Sequence, residues 1–167
     1  MSRYDELTAK VDAFFARVQA RHGCDMQCGT GCSDCCHVRL SVTGVEANAI
    51  RELVASWPAE RRAALAERAR GARIDRCAAL DDAGRCAIYA ARPITCRSHG
   101  APIRMAARQR EGSLPVVHNC FRNFTHTTPD ADCVLDQETL SALVLAVNRD
   151  AGRDDARIDL AELLATC

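Results

Sequence analysis

The chain has 167 residues with 22 basic and 22 acidic side chains, and its composition is 48% hydrophobic and 4% aromatic. These values are typical of one globular domain that builds its own core, and they exclude a disordered tail or a strongly charged nucleic-acid-binding protein. No window approaches a run of about 18 apolar residues, so no membrane span is expected.

Cysteine is the largest departure from ordinary composition, with eleven residues in the chain. The first residues, MSRYDELTAK, lack the apolar run of an export signal, so we expect a cytoplasmic protein. Thiols in that compartment stay reduced unless they are catalytic or bound to metal. Metal binding by thiolates is therefore the leading hypothesis.

Charge is unevenly distributed along the chain. Residues 1–84 are neutral overall, residues 85–128 carry seven bases and one acid, and residues 129–167 carry nine acids and three bases. The basic segment contains three cysteines, and thiolates bound to a metal leave a negative charge that favours cationic neighbours. We therefore interpret the basic segment as charge compensation rather than as a nucleic-acid-binding patch.

The N-terminal half is predicted to be helical. An apolar face predicts an amphipathic helix over 4–22 that ends near Gly23; the residues of this face are Leu7, Val11, Phe14, Phe15 and Val18. Thr43 and Glu46 form a capping box for a helix that continues to about Trp57. Pro58 begins a further helix over 58–70, which we expect to lie on the surface and to be anchored by Leu65.

The C-terminal half combines irregular segments with two helices. Asp-Asp-Ala-Gly at 81–84 indicates a short hairpin, and Arg92-Pro93 begins a helical turn. Residues 101–132 show no sustained period and are predicted to form a long loop, with one short strand at 115–118. Asp136 caps a helix ending before Gly152, whose expected buried stripe is Leu140, Leu143, Val144 and Val147. A short helix follows around 158–165.

These elements predict a mainly α fold, with residues 1–167 as a single helical domain. Within this domain, residues 24–124 are predicted to form cysteine-rich metal-binding loops, and they could include one short β-hairpin. We find no internal repeat and no Gly/Ser linker in the sequence.

The segment CDMQCGTGCSDCC at 24–36 has no apolar period, so its order must come from something other than packing. Zinc and iron–sulfur sites both need converging thiolates, which closely spaced cysteines supply at little entropic cost. The candidate ligands of this first group are Cys28, Cys32, Cys35 and Cys36. Successive side chains diverge, so Cys35 and Cys36 are expected to serve different metals or to bridge two of them.

A second, dispersed group completes a set of eight candidate ligands: Cys77, Cys86, Cys96 and Cys120. Eight thiolates are enough for two four-thiolate sites, or for one cluster with spare ligands. The spacing does not assign cysteines to particular metals. Further candidate ligands are Cys24, His99, which follows Cys96 by three residues, and His118, which precedes Cys120 by two. Cys133 and Cys167 are interpreted as a small core residue and a free terminal thiol.

Three segments together resemble the YkgJ-type cysteine-rich CxxCxxCC family of zinc- or iron-chelating bacterial proteins. They are CGTGCSDCC at 28–36, RCAIYAARPITCRSHG at 85–100 and Asn119-Cys120. The resemblance covers about residues 24–124 and implies that the same eight cysteines hold metal. The chain departs from the pattern by having three residues between Cys28 and Cys32, so Cys24 is an alternative to Cys28. Within the shared pattern, Arg97 could donate N–H to a thiolate.

The primary hypothesis is a zinc-chelating protein with a structural or metal-handling role. The alternative is a 4Fe–4S protein with an electron-transfer or redox-accessory role, although the usual ferredoxin run is absent. Copper(I) storage would require cysteines along helices, and the glycines at 29 and 31 disfavour a helix there. Common nucleotide-binding and hydrolase motifs are absent from the sequence, so no catalytic residue is assigned and enzymatic activity is left open. A metal ion is the only partner that the sequence indicates.

Overall fold

The structure is a computed structural model that describes residues 1–29, 31–105 and 116–167. Its described residues contain six α-helices: α1 (Arg3–His22), α2 (Gly44–Ala55), α3 (Ala59–Arg70), α4 (Ile94–Ser98), α5 (Gln137–Asp150) and α6 (Leu160–Ala165). Short strands connect them: β1 (Ser41–Val42), β2 (Ile103–Met105), β3 (Val116–His118), β4 (Leu135–Asp136) and β5 (Ile158–Asp159). The mainly α prediction is confirmed.

The helices begin and end where the local sequence signals predict. The capping box at the start of α2 is formed, with the Glu46 carboxylate accepting the Thr43 N–H at 2.8 Å. Asp136 caps α5 by accepting from Thr139 N at 2.9 Å. Leu65 is 2% exposed and anchors α3 as predicted. These hydrogen bonds pair backbone N–H groups at the helix start that have no partner within the helix. Because the paired residues are only three positions apart, short sequence motifs predict where the helices begin.

Two small sheets pair segments that are far apart in the sequence, one with two antiparallel strands and one with three strands of mixed direction. β1 pairs with β5 in antiparallel fashion, with Ser41 opposite Asp159. β2 pairs antiparallel with β3 and parallel with β4, with Ile103 opposite both His118 and Leu135. The predicted strand is confirmed at 116–118, whereas Pro115 lies outside the described residues. The predicted hairpin is reduced to an isolated antiparallel bridge between Leu80 and Cys86.

Three groups of buried side chains form the interior. The largest joins α2, α3 and α6 with the segment 77–88. A second packs α1 against α2, α4 and α5, and a third lies between the C-terminal half of α1 and Phe124. The largest cluster is therefore continuous with several of the cysteines.

The prediction that Leu143 is buried is wrong, because its side chain is 47% exposed. Leu140 and Val144, four residues apart on one face of α5, pack against α1, and Val147 is half-buried beside them. Leu143 lies at the edge of that narrow stripe and faces away from the packed helices. None of the helices in the described ranges is long and apolar enough to cross a membrane.

Candidate metal centre

The loop between α1 and β1 carries four of the predicted ligands, and two of them, Cys35 and Cys36, lie on a 3-10 turn. Residues Gly23–Asp25 and Asp34–Cys36 form short 3-10 turns. Cys32 N donates to Gly29 O at 3.1 Å, and Cys36 N donates to Ser33 O at 2.8 Å. No side chain of the Asp34–Cys36 turn is buried. The loop is thus folded mainly by backbone turns, as expected for a segment without an apolar period.

Asn123 fixes the position of Cys28. Its side chain is 2% exposed and donates from Nδ2 to Gly100 O at 2.8 Å and to Cys28 Sγ at 3.2 Å. Its Oδ1 accepts the backbone N–H of Gln27 at 2.8 Å. One buried amide therefore joins the start of the cysteine loop to the residue that follows His99.

Gly100 leaves the space that the Cys28 sulfur occupies. Its φ of +99° is a conformation that favours glycine, and a Cβ placed there would lie 2.4 Å from Cys28 Sγ. Burial is the main factor raising the pKa of the Cys28 thiol, and the Asn123 hydrogen bond opposes it. The backbone at Gly100 thus forms one wall of the Cys28 site.

Cys77 belongs to the largest core cluster, Cys36 and Cys86 pack against it, and the thiols of Cys77 and Cys86 also influence the pKa of Cys96. Cys77 N donates to Cys36 O at 2.8 Å, which fastens the first cysteine loop to the segment 77–80. Cys86 lies on the antiparallel bridge opposite Leu80, and Cys96 lies on α4. We refer to these four residues as the inner group.

The inner thiols perturb one another. Burial is the largest cause that raises the pKa of Cys86 to about 11, and the Cys77 thiol adds to it. Burial likewise raises the pKa of Cys96 to about 12, with Cys77 and Cys86 as further causes. Such thiols resist ionisation on their own, and a metal ion supplies the positive charge that makes their deprotonation favourable.

Glu46 positions the helix that carries Cys96. Its carboxylate is 3% exposed and accepts the Thr43 hydroxyl at 2.9 Å and the Ile94 N–H at 3.0 Å. Arg97 does not donate to a thiolate as the sequence suggested. It donates to the Asp12 carboxylate at 2.5 Å and to the carbonyls of Arg92 and Ala90 at 2.9 and 2.8 Å. Arg97 therefore fastens α4 to α1.

The other four of the eight candidate ligands are named the outer group: Cys28, Cys32, Cys35 and Cys120. Burial is the largest cause that raises the pKa of Cys28, and the thiols of Cys120, Cys32 and Cys35 add to it, whereas the Asn123 hydrogen bond lowers it. Arg122 lies beside them and forms an ion pair with Asp34. This ion pair is the largest cause that raises the Arg122 pKa, and Cys32 and Cys120 contribute.

The outer group opens to solvent. An open cavity of about 280 Å³ is lined by Cys32, Arg122, Gly29 and Gly31 among others, so Cys32 is the outer-group cysteine that borders it. Cys32 and Cys35 are exposed, whereas Cys77 of the inner group is 6% exposed. The inner group is therefore the more enclosed of the two.

Cys35 and Cys36 lie at the junction of the two groups. Their sulfur atoms are 4.0 Å apart. The hydrogen bond donated by Cys36 lowers the pKa of Cys35 to about 6, and the same contact raises the pKa of Cys36. Cys35 also contributes to raising the pKa of Cys77, Cys86 and Cys96, so its thiol interacts with both groups. That Cys35 and Cys36 serve different metals or bridge two of them stays a prediction.

The eight sulfurs do not converge on a common point in the described part of the chain. Within the described residues, no three of the eight sulfurs lie within 4.8 Å of one another. Tetrahedral zinc needs Zn–S distances of about 2.3 Å. Binding of zinc through four of these thiolates would therefore require their sulfurs to move closer together.

The additional candidates lie at the margins. His99 is exposed and its charge contributes to lowering the pKa of Cys35, after the Cys36 hydrogen bond. Cys24 is exposed on the turn that follows α1, and His118 is exposed on β3. Cys133 is fully buried, and Cys167 is half-buried with its thiol donating to Leu163 O at 3.1 Å.

Sequence reasoning did not identify Asn123, Gly100 or Glu46 as parts of this centre. Asn123 is separated from Cys28 by 95 positions, so no local pattern links them. Gly100 is the last residue of the motif RCAIYAARPITCRSHG, and its place in that motif is the sequence feature that could have indicated a role in the centre. Glu46 was identified only as a capping residue, because its bond to Ile94 depends on tertiary packing.

Comparison with known proteins supports metal chelation. No curated protein and no solved structure matches the chain. Residues 27–134, more than half of the chain, match the family model described as "CxxCxxCC: Putative zinc- or iron-chelating domain". The match contains all eight cysteines of the inner and outer groups. The chain belongs to the CxxCxxCC family of zinc- or iron-chelating domains.

Proposed function

We propose that this protein chelates Zn²⁺ through two four-cysteine sites, one formed by the inner group and one by the outer group. The observation that carries the proposal is the adjacent pair Cys35 and Cys36, whose sulfurs lie 4.0 Å apart and whose loop is joined to Cys77 by a 2.8 Å backbone hydrogen bond. The assignment of four cysteines to each site is part of the proposal. Four thiolates are a complete ligand set for a closed tetrahedral zinc site. Family membership supports chelation of zinc or iron, and the choice of zinc is part of the proposal.

Solvent access favours zinc over an iron–sulfur cluster. Cys32 and Cys35 are exposed, and the outer group borders an open cavity. Exposure changes the reduction potential of a cluster, whereas zinc has no redox chemistry. The few aromatic residues of the chain, 4%, also provide little shielding for a cluster.

The two sites would serve different roles. The inner group is continuous with the largest core cluster, so zinc there would stabilise the fold. The outer group faces solvent, so an incoming ligand or acceptor could reach its metal. We therefore propose a structural inner zinc and an exchangeable outer zinc, within one cytoplasmic domain over residues 1–167.

Metal analysis of protein purified without oxygen tests this proposal. Zinc without iron or acid-labile sulfide is expected, in colourless protein. Cys36→Ser should remove about one zinc from the inner site, and Cys120→Ser about one from the outer site. Cys167→Ser is the matched control, because this thiol bonds only to Leu163 O and lies outside both groups. Its metal content should equal that of the wild type.

Brown protein containing equal iron and sulfide, with broad absorbance near about 400 nm, would overturn the zinc assignment in favour of a cluster with a redox role. Zinc content unchanged in both Cys36→Ser and Cys120→Ser would overturn the ligand assignment.

A further inference from the structure

A separate set of metal-ligating side chains lies where the end of α1 meets the 3-10 turn Ala131–Cys133. His22, Asp130 and Cys133 each present one ligand atom, and these atoms all lie within 4.8 Å of one another. It is the one such trio found among the described residues. His22 precedes the family match, and none of the three residues belongs to the inner or outer group.

His22 is held in the orientation of a metal ligand. Its side chain is 12% exposed, and its ring packs edge-on against Phe124 with centroids 5.2 Å apart. Nδ1 lies 3.7 Å from the Asp25 carboxylate, whereas Nε2 lies 3.4 Å from the Asp130 carboxylate. A carboxylate facing one ring nitrogen is the arrangement that orients a metal-binding histidine, because it leaves the other nitrogen for the metal.

The hydrogen-bond pattern at Nε2 agrees with that assignment. The backbone N–H of Asp130 donates to Nε2 at 3.5 Å, so Nε2 presents its lone pair. An imidazole nitrogen binds a metal through such a lone pair. A metal ion would replace this long hydrogen bond.

Cys133 lies at the buried end of the site and Asp130 at its solvent-exposed end. Cys133 is fully buried in the cluster that also contains Val18 and Phe124, whereas the Asp130 side chain is 54% exposed. An ion could therefore enter past the carboxylate and reach the thiol below. The chemistry of one imidazole, one carboxylate and one thiolate suits Zn²⁺.

Arg21 supplies compensating positive charge. Its Nη1 donates to Cys133 Sγ at 3.7 Å, and its Nε lies 3.8 Å from the Asp130 carboxylate. The same guanidinium is paired with Asp132. Arg17 also donates to Asp132 O at 3.0 Å. The charged groups around the site are thus Arg17, Arg21, Asp25, Asp130 and Asp132, which sum to one negative charge that attracts a divalent cation.

We propose that His22, Asp130 and Cys133 form a third metal site, a three-ligand Zn²⁺ site whose remaining coordination position faces solvent. It joins the C-terminus of α1 to the segment 130–133, which passes beside the Cys28 region. Three protein ligands with an accessible fourth position distinguish it from closed four-thiolate sites. This site does not depend on the identity of the metal in the cysteine groups.

Cadmium substitution followed by ¹¹³Cd NMR tests the proposal, because the cadmium shift depends on how many thiolates bind the metal. Wild-type protein loaded with Cd²⁺ should give a signal for a site with one thiolate, separate from any four-thiolate signals. Asp130→Asn should abolish that signal or weaken Zn²⁺ binding at the site by at least about tenfold. Asp130 is exposed, so this variant should fold normally.

Asp132→Asn is the matched control. Asp132 has a 62% exposed side chain and pairs with the same Arg21, but it is not one of the three ligands. Its cadmium spectrum and zinc affinity should match the wild type within about twofold. His22→Gln, a second ligand variant, should reproduce the loss seen with Asp130→Asn.

Absence of a one-thiolate cadmium signal in the wild type would overturn the proposal. Equal losses in Asp130→Asn and Asp132→Asn would also overturn it, because they would reflect general surface charge. Failure of this third site leaves the four-thiolate signals in place, and failure of the cysteine sites removes only those signals, so the two proposals are tested separately.

Discussion

Gly100 allows a direct test of how a single backbone position shapes the centre. Gly100→Ala would place a Cβ 2.4 Å from Cys28 Sγ, so the sulfur must move. We expect loss of at least half of the outer-site zinc and a destabilisation of about 2–4 kcal/mol, which combines backbone strain with overpacking. Metal analysis and denaturant unfolding measure the two effects.

Gly152→Ala is the control for that experiment. Gly152 also has a positive φ, +69°, but a Cβ there meets nothing within 4 Å. The variant should lose about 1–2 kcal/mol from backbone strain alone and keep its full metal content. Equal metal loss in both variants would mean that strain, rather than contact with Cys28, disturbs the site.

At the residue scale, the sequence identified metal-type chemistry but not the residues that position it. A cysteine can bind metal in almost any local structure, so the eight candidate ligands could be named from composition, spacing and family resemblance. Asn123 acts through three hydrogen bonds to Gln27, Gly100 and Cys28, which the sequence separates. An asparagine is common in loops, and its role depends on contacts formed only in the folded chain.

Glu46 links two elements and allows a test at that scale. Glu46→Ala would remove the acceptor for the Thr43 hydroxyl and for Ile94 N, which begins α4. Buried donors left without partners should cost about 2–4 kcal/mol. Because α4 carries Cys96, we also expect reduced zinc at the inner site, with the outer site less affected. Thermal or urea unfolding and metal analysis provide the measurements.

Glu52→Ala provides the comparison on the same helix, since Glu52 is exposed. It should change the free energy of unfolding by less than about 0.5 kcal/mol and leave zinc content unchanged. A Glu46→Ala variant with wild-type zinc content would show that the start of α4 does not control the Cys96 position.

The helices could be predicted more completely than the strands because their determinants are local. The capping box of α2 and the Asp136 cap of α5 involve residues three positions apart. The strands β1, β2, β4 and β5 were not predicted, because each contains two or three residues and pairs with a distant segment. Such short strands have no period of their own, and tertiary packing decides whether they form.

At the scale of the whole molecule, the helical frame and the cysteine loops are stabilised differently. α1, α2, α4 and α5 share an apolar cluster without any of the eight cysteines. Three residues of the inner group, Cys36, Cys77 and Cys86, instead belong to or pack against the cluster of α2, α3 and α6. Metal removal should therefore affect the two parts unequally, because a bound ion stabilises only the structure that its ligands hold together.

Hydrogen exchange after zinc removal by a strong chelator, under reducing conditions, measures this difference. The amide of Cys77, which donates to Cys36 O at 2.8 Å, should lose protection by at least about tenfold. The amide of Val144, in α5 within the cysteine-free cluster, should stay within about threefold of its protection in the zinc-bound protein. Zinc added back should restore protection at Cys77. Equal loss at Cys77 and Val144 would contradict the prediction, because it would mean that the α1–α5 frame also needs metal to fold.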